Sequence, residues 1–502
     1  MSSSESFYWH DYETFGADPS RDRPVQFAGL RTDLDLNPVG DPLELYALPA
    51  RDYLPQPAAC LITGITPQLA QEKGVAEAAF MASIHAELAQ PGTCGVGYNS
   101  LRFDDEVTRY ALYRNLYDPY AREYQHANSR WDLIDAVRTA YVLRPQGINW
   151  PRRDDGLPSF RLEDLTRANG IEHGQAHDAL ADVRATIAMA GLLRDRQPKL
   201  YTHLFALRRK PALKQLVDPE AMRPLLHVSG MFGGARANLG LILPLFWHPQ
   251  NRNQLICYDL SVDPVPLFEQ PAERLRELLY TPAAALPENT QRPGLKSVHI
   301  NRCPVLLTPK MLDETVAQRA SLDRESCRGH LRLLRDYQQR FPGALRDKLR
   351  QLYAPHQGIE SGSQGQADSA GSDPSSKRPA DPDRQLYGGG FSSDADRATL
   401  DRVRVLSPVD LATLHVAFDD ERLGEMLFRY RARNFPETLD SAERERWESF
   451  RFHRLSEGGE EGYLDLESYQ TELATRLSDP ALTARDRSIL EALEHWGDSL
   501  LA

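Results

Sequence analysis

The chain has 502 residues, a formal net charge of −12, 41% hydrophobic and 26% charged residues, the profile of a globular protein of about three domains. No run approaches the roughly 20 apolar residues of a bilayer span, and Met1-Ser2-Ser3-Ser4-Glu5-Ser6 has neither the basic start nor the apolar core of a secretion signal, so a cytoplasmic protein with no membrane contact is expected. Cysteines 60, 94, 257, 303 and 327 form no C-x-x-C pair, which argues against a zinc ribbon and a disulfide framework; the acidic balance counts against a protein that coats nucleic acid through bulk charge, though not against a nucleic-acid enzyme.

In chain order, residues 7–14, 25–30 and 44–48 read as strands, 76–90 as a helix stopped by Pro91-Gly92, and 93–98 as a fourth strand. Helices are expected at about 104–117, 130–142 and 179–194. Strands first, then strands alternating with helices, predict a mixed α/β sheet covered by helices. Residues 201–354 carry shorter apolar runs, such as 241–247 and 255–260, separated by turn formers, and predict a β-rich domain with helices attached. Residues 356–385 hold six Ser, four Gly, three Pro and four Asp and no aromatic residue; such a segment cannot offset its ordering entropy and reads as a flexible linker. The remainder reads as helical, with stretches at about 394–406, 419–432, 440–455 and 465–499.

Three motifs carry chemistry. Asp11-Tyr12-Glu13 lies in the opening strand, where residues two apart point to one face. Two carboxylates buried together need a cation, and oxygen ligands suit Mg²⁺ or Mn²⁺; an exposed polar edge is the alternative. Asp104-Asp105-Glu106 follows the fourth strand, where open α/β sheets place their sites, or simply starts a helix with favourable charge. His177-Asp178 opens the last helix, and Asp178 and Asp182, four apart, share a face of it.

Together, D-x-E in the first strand, Asp104 after the fourth, and H-x-x-x-x-D at 177–182 resemble the DEDDh exonucleases with their ribonuclease H-like fold. The runs HDYETFG (10–16), GYNSLRFDDEVTRY (97–110), INWPRRDDGLPSFRLEDLTRANGIEH (148–173) and ARNFPETL (432–439) are similar to the bacterial exodeoxyribonuclease I family over nearly the whole chain. The resemblance implies an exonuclease domain at 1–200, an SH3-like DNA-binding domain at 201–354, a linker at 355–386 and a helical C-terminal domain at 387–502. It implies that Asp11, Glu13, Asp104 and Asp182 hold two Mg²⁺ ions, with Mn²⁺ as a substitute, and that His177 is the general base. Asp104 is preferred to Asp105 by alignment with the family motif. The activity implied is processive 3′→5′ degradation of single-stranded DNA to 5′-mononucleotides, in DNA repair and recombination.

By the same resemblance, Glu13, Arg109, Tyr120, Tyr124, Arg138 and Arg161 touch substrate, as do Lys210, Asn253 and Asn301. For any single Tyr or Arg, packing or a surface ion pair is the alternative. Six basic residues against two acidic ones at 201–240 suggest a local basic face. A monomer that binds the acidic, apolar tail of single-strand binding protein is implied. The helical region 387–502 is expected to clamp the strand without being needed for chemistry. An RNA-trimming exonuclease of the same catalytic type and a catalytically silent single-strand-binding scaffold are the rival readings. The five catalytic positions are all intact, which counts against the scaffold.

Overall fold

The computed structural model describes residues 5–174, 178–288, 290–354, 381–388, 390 and 392–501. They pack as two units. One holds the described residues of 1–129, 173–187 and 370–502, the other those of 130–172 and 188–369.

The first unit is built on a mixed sheet of order β4-β3-β2-β1-β5-β6. Its strands are β1 (Ser6–Thr14), β2 (Pro24–Thr32), β3 (Leu43–Ala47), β4 (Gly74–Val75), β5 (Thr93–Gly97) and β6 (Ser129–Asp132), and the chain passes into the second unit within β6. β1 runs antiparallel to β2 and parallel to β5. Phe7, Tyr8 and Trp9 of β1 are all buried, which is why this central strand reads as a continuous apolar run instead of an alternating one. The register of β1 against β2 shifts between Glu13 and Thr14; such an irregularity bends a strand end and re-aims its side chains.

Helices α1 (Pro57–Thr63), α2 (Pro67–Lys73), α3 (Glu77–Leu88) and α4 (Asp104–Arg114) follow. α3 places Phe80, Met81, Ile84 and Leu88 against Tyr8, Tyr12 and Phe27 of the sheet, together with Val107, Ala111 and Leu112 of α4. α7 (Ala179–Arg196) begins in the first unit, after α5 (Leu133–Leu143) and α6 (Leu162–Ala168) of the second.

The helical C-terminal region shares its core with the sheet domain. Phe15, Val25, Tyr53, Leu54 and Cys60 form one buried cluster with Leu466, Tyr469, Leu473, Leu490, Leu493 and Trp496. A buried ionic cluster ties the same parts. Asp52 accepts from Arg433 at 2.8 Å and Arg454 at 3.0 Å, and Asp383 accepts from Arg433 at 2.6 Å and Arg429 at 3.2 Å.

Three expectations are corrected here. Residues 130–132 belong to strand β6, so the predicted helix at 130–142 starts at Leu133 with Asp132 as its cap. The predicted helix at 465–499 is two, Leu466–Leu477 and Ala484–Leu501, with Pro480 between them, a residue that cannot continue a helix. The expected linker ends early. Residues 381–386 are packed, with Asp383 2% exposed and a short turn at Pro382–Arg384, because guanidinium partners offset the cost of burying these aspartates. Its earlier part, 355–380, lies outside the described residues.

The second unit contains a five-stranded sheet of order β10-β9-β8-β7-β11. The strands are β7 (Leu225–Val228), β8 (Leu239–Trp247), β9 (Gln254–Asp259), β10 (Leu295–His299) and β11 (Val305–Leu307), and all neighbours are antiparallel. This is the β-rich region expected from the apolar runs. Pro244 sits where β8 slips register against β9, the kind of position at which a strand tolerates a missing N–H. Among the described residues no helix is long and apolar enough to cross a membrane.

Candidate active site

Four carboxylates converge in the first unit from three elements. β1 delivers Asp11 and Glu13, the first turn of α7 delivers Asp182, and α4 opens with Asp104. Oxygens of Asp11, Glu13 and Asp182 lie within 4.8 Å of one another. Asp104 is fixed behind them, its Oδ1 accepting the Tyr12 backbone N–H at 3.2 Å. The period of a strand explains Asp11 and Glu13 on one face. Asp178 fixes the turn that carries Asp182: its side chain accepts from Ala181 N–H at 3.0 Å and its carbonyl from Asp182 N–H at 3.0 Å.

Like charges at this density cannot all ionise unaided. Desolvation holds the Asp11 carboxyl well above the usual carboxylate range, and Asp104, Glu13, Asp182 and Asp178 push it further. Glu13 is pushed up to about 8, first by desolvation and then by Asp182, Asp104 and Asp178. A hard divalent cation is the species that restores ionisation in an all-oxygen donor set, so these residues fit a metal centre.

Of the three consecutive acids that open α4, Asp104 alone turns to this cluster. Asp105 is 2% exposed and paired with Arg122 at 2.5 Å, and Glu106 pairs with Arg109 at 2.7 Å. His177 lies outside the described residues. A histidine that motif reading passed over, His173, places Nε2 2.5 Å from Asp182 Oδ1.

The remaining predicted residues divide. Arg109 is 5% exposed and donates to Glu123, Glu106 and the Tyr387 hydroxyl. The Tyr120 ring lies 5.4 Å from the Arg109 guanidinium, and Tyr124 is 63% exposed. In the second unit Lys210 Nζ donates to Asn253 Oδ1 at 3.0 Å, and the Asn253 carbonyl accepts the Ile300 N–H, which brings Asn301 beside them. Arg130 donates to the Asn301 carbonyl at 3.0 Å. Arg161 is exposed at the start of α6. Arg138 pairs with Asp135 at 2.8 Å and packs on Gly230, where a Cβ would come within 3.2 Å of the guanidinium. The basic residues at 201–240 are not all open: Arg236 pairs with Asp259, outside the segment, and Arg208 is buried over the Phe205 ring.

A four-carboxylate cluster at the end of the central strand of a ribonuclease H-like sheet defines a nuclease of the exonuclease class. Residues 8–190 match the family model described as Exonuclease, 208–355 the Exonuclease I SH3-like domain, and 380–500 the Exonuclease I C-terminal domain. The chain belongs to the exodeoxyribonuclease I family. It is 50% identical over 461 residues to exodeoxyribonuclease I of Escherichia coli K12, 92% of each chain. It matches the structure of a moderately thermophilic exonuclease I from Methylocaldum szegediense with TM-score 0.90 and 48% identity, over 99% of this chain and all of that one. The zinc-ion-bound form of the E. coli ExoI–ssDNA complex matches with TM-score 0.89 and 46% identity, at the same coverage.

Proposed function

We propose that this exonuclease removes 5′-mononucleotides processively from the 3′ end of single-stranded DNA, using two Mg²⁺ ions for which Mn²⁺ can substitute. The observation that carries the reading is the convergence of Asp11, Glu13 and Asp182 within 4.8 Å. Asp11, Glu13, Asp104 and Asp182 hold the metals, which when bound supply a nucleophilic water at neutral pH and stabilise charge on the leaving 3′ oxygen. His177 accepts the proton of the attacking water; imidazole titrates near neutrality and suits that task. Glu13 also touches the terminal nucleotide.

Exposed Tyr124 and half-buried Tyr120 offer rings on which unpaired bases stack, and Arg161, Arg109, Arg138 and Lys210 offer charge to phosphates. Asn253 and Asn301 add neutral donors. The functional division is an exonuclease domain at 1–200, an SH3-like DNA-binding domain at 201–354 and a helical domain from 387. The protein works as a cytoplasmic monomer in DNA repair and meets the tail of single-strand binding protein.

The test is product analysis on matched DNA and RNA oligomers with Mg²⁺, Mn²⁺ or EDTA. Mononucleotide release from the 3′ end of DNA alone, abolished by EDTA, is expected. Equal rates on RNA overturn the substrate assignment, and EDTA-resistant release overturns the metal assignment.

A further inference from the structure

Asp182 differs from the other three carboxylates in how it is held. Asp11 and Glu13 ride on a strand paired on both sides by neighbours, and Asp104 is pinned by the Tyr12 N–H. Asp182 stands in the first turn of α7 with its side chain 19% exposed. Its backbone is secured by the Asp178 carbonyl. Its carboxylate is met by the His173 imidazole, itself only 8% exposed, at 2.5 Å.

His173 comes from a different stretch of chain than α7, nine residues before Asp182, so the bond joins the incoming loop to the helix. The group of donor atoms mutually within 4.8 Å contains Asp11, Glu13 and Asp182 and, among the described residues, no histidine. His173 therefore touches a ligand without belonging to the ligand set. That is the place of a residue that orients a metal ligand through its other lone pairs.

We infer that His173 is a positioning residue of the metal centre: its Nε2–H holds the Asp182 carboxylate in the rotation from which it binds the cation. An ionised carboxylate only accepts, so the bond requires the tautomer that carries the proton on Nε2. The imidazole removes rotational freedom from Asp182 before the metal arrives, so less ordering entropy is lost on binding. Because His173 supplies no ligand and no proton to the reacting atoms, its loss acts on metal affinity and leaves the rate at saturating metal largely intact. The inference rests on the metal reading proposed above.

The experiment compares the full chain with His173→Phe, His173→Gln and Asp182→Asn. Mn²⁺ binding is followed without DNA by electron paramagnetic resonance of the free ion, and nucleotide release is measured against metal concentration. His173→Phe keeps a ring but no donor and is expected to weaken Mn²⁺ binding about 10–100-fold, as loss of an outer partner does. The metal needed for half-maximal rate rises by the same factor, and kcat at saturating metal stays within about threefold of wild type. His173→Gln places an amide N–H near the position of Nε2 and is expected to recover most of the affinity. If the Phe variant does not fold, His173→Asn, whose amide is too short to reach Asp182, carries the same expectation. Unchanged or tighter Mn²⁺ binding in the donor-free variant overturns the inference, since tighter binding means the imidazole competes with metal. A fall in kcat at unchanged affinity also overturns it. Loss of binding in Asp182→Asn together with wild-type binding in His173→Phe removes the inference alone; wild-type binding in Asp182→Asn removes the metal reading itself.

Discussion

Glu13 carries the pH behaviour of the site in its own carboxyl. In the metal-free fold it is held at about 8, against an ordinary 4.5, by desolvation and by Asp182, Asp104 and Asp178. The folded state then keeps a proton that the unfolded chain has released, so stability falls as pH rises from about 4.5 towards 8. Mg²⁺ binding is expected to ionise the cluster and flatten that slope. Thermal melting across this range, with EDTA and with Mg²⁺, checks it; parallel curves contradict it. Removing a ligand acts on turnover and spares the DNA surface: Asp11→Asn or Asp182→Asn is expected to abolish metal-dependent release while DNA affinity stays within about tenfold. Full activity in either variant contradicts the ligand roles. His177→Ala is expected to slow release about 10²–10⁴-fold, the worth of a positioned base, and single-turnover rates check it. At this scale the sequence was informative where a period forces geometry. Asp11 and Glu13 share a face because strands alternate. Asp104 and Asp105 are neighbours with opposite fates, one at the cluster and one paired with Arg122; only alignment with a family motif pointed to the first. His173 carried no signal, since its partner is set by how a loop returns to a helix. The Arg109 pairs with Glu106 and Glu123 were not legible either, because an arginine in a sequence looks alike whatever it faces.

Among the elements, the segment 381–386 is the least legible from composition. Ser, Gly, Pro and Asp read as a linker, yet Asp381 and Asp383 are bound by Arg429, Arg433 and Arg454, and Tyr463 donates to Asp381 at 2.6 Å. The arginine partners lie far along the chain, in helices Arg422–Asn434 and Ser441–Glu457, so no local window reveals them. The guanidinium neighbours hold the Asp52, Asp381 and Asp383 carboxyls below the usual carboxylate range in spite of burial. Their contribution is thus present above the ordinary carboxylate pKa and is lost as pH falls through and below it. Asp383→Asn leaves buried arginines short of a partner and is expected to cost about 3–5 kcal/mol, read as a lowered denaturation midpoint at neutral pH. A change under about 1 kcal/mol, the size typical of an exposed pair, contradicts the assignment of a structural tie. Strands β1, β2, β3 and β5 and helices α3 and α4, by contrast, were readable, because buried aromatic runs and Pro-Gly stops are local; α1, α2 and β4 were not read.

For the whole molecule, the helical C-terminal region is a packing partner of the nuclease sheet before it is anything else. Phe15, Tyr53 and Leu54 are covered by Leu466, Tyr469, Leu490 and Trp496. Several large side chains at roughly 1.5–3 kcal/mol each exceed the stability margin of an ordinary domain. A chain ending before 387 is therefore expected to be insoluble or to melt without cooperativity. A soluble, active truncation contradicts this and restores the separable clamp that sequence order alone suggested. Direction, processivity and metal dependence are tested together by single-strand degradation by the intact chain under a trap for released enzyme. The assay follows an oligomer labelled at its 3′ or its 5′ end, with Mg²⁺ or EDTA, in wild type and in Asp182→Asn. The 3′ label is expected to leave first as a mononucleotide, many steps are expected to follow each binding event, and both EDTA and Asp182→Asn are expected to stop release. First release of the 5′ label, internal cuts, or release that survives loss of Asp182 contradicts the proposed function.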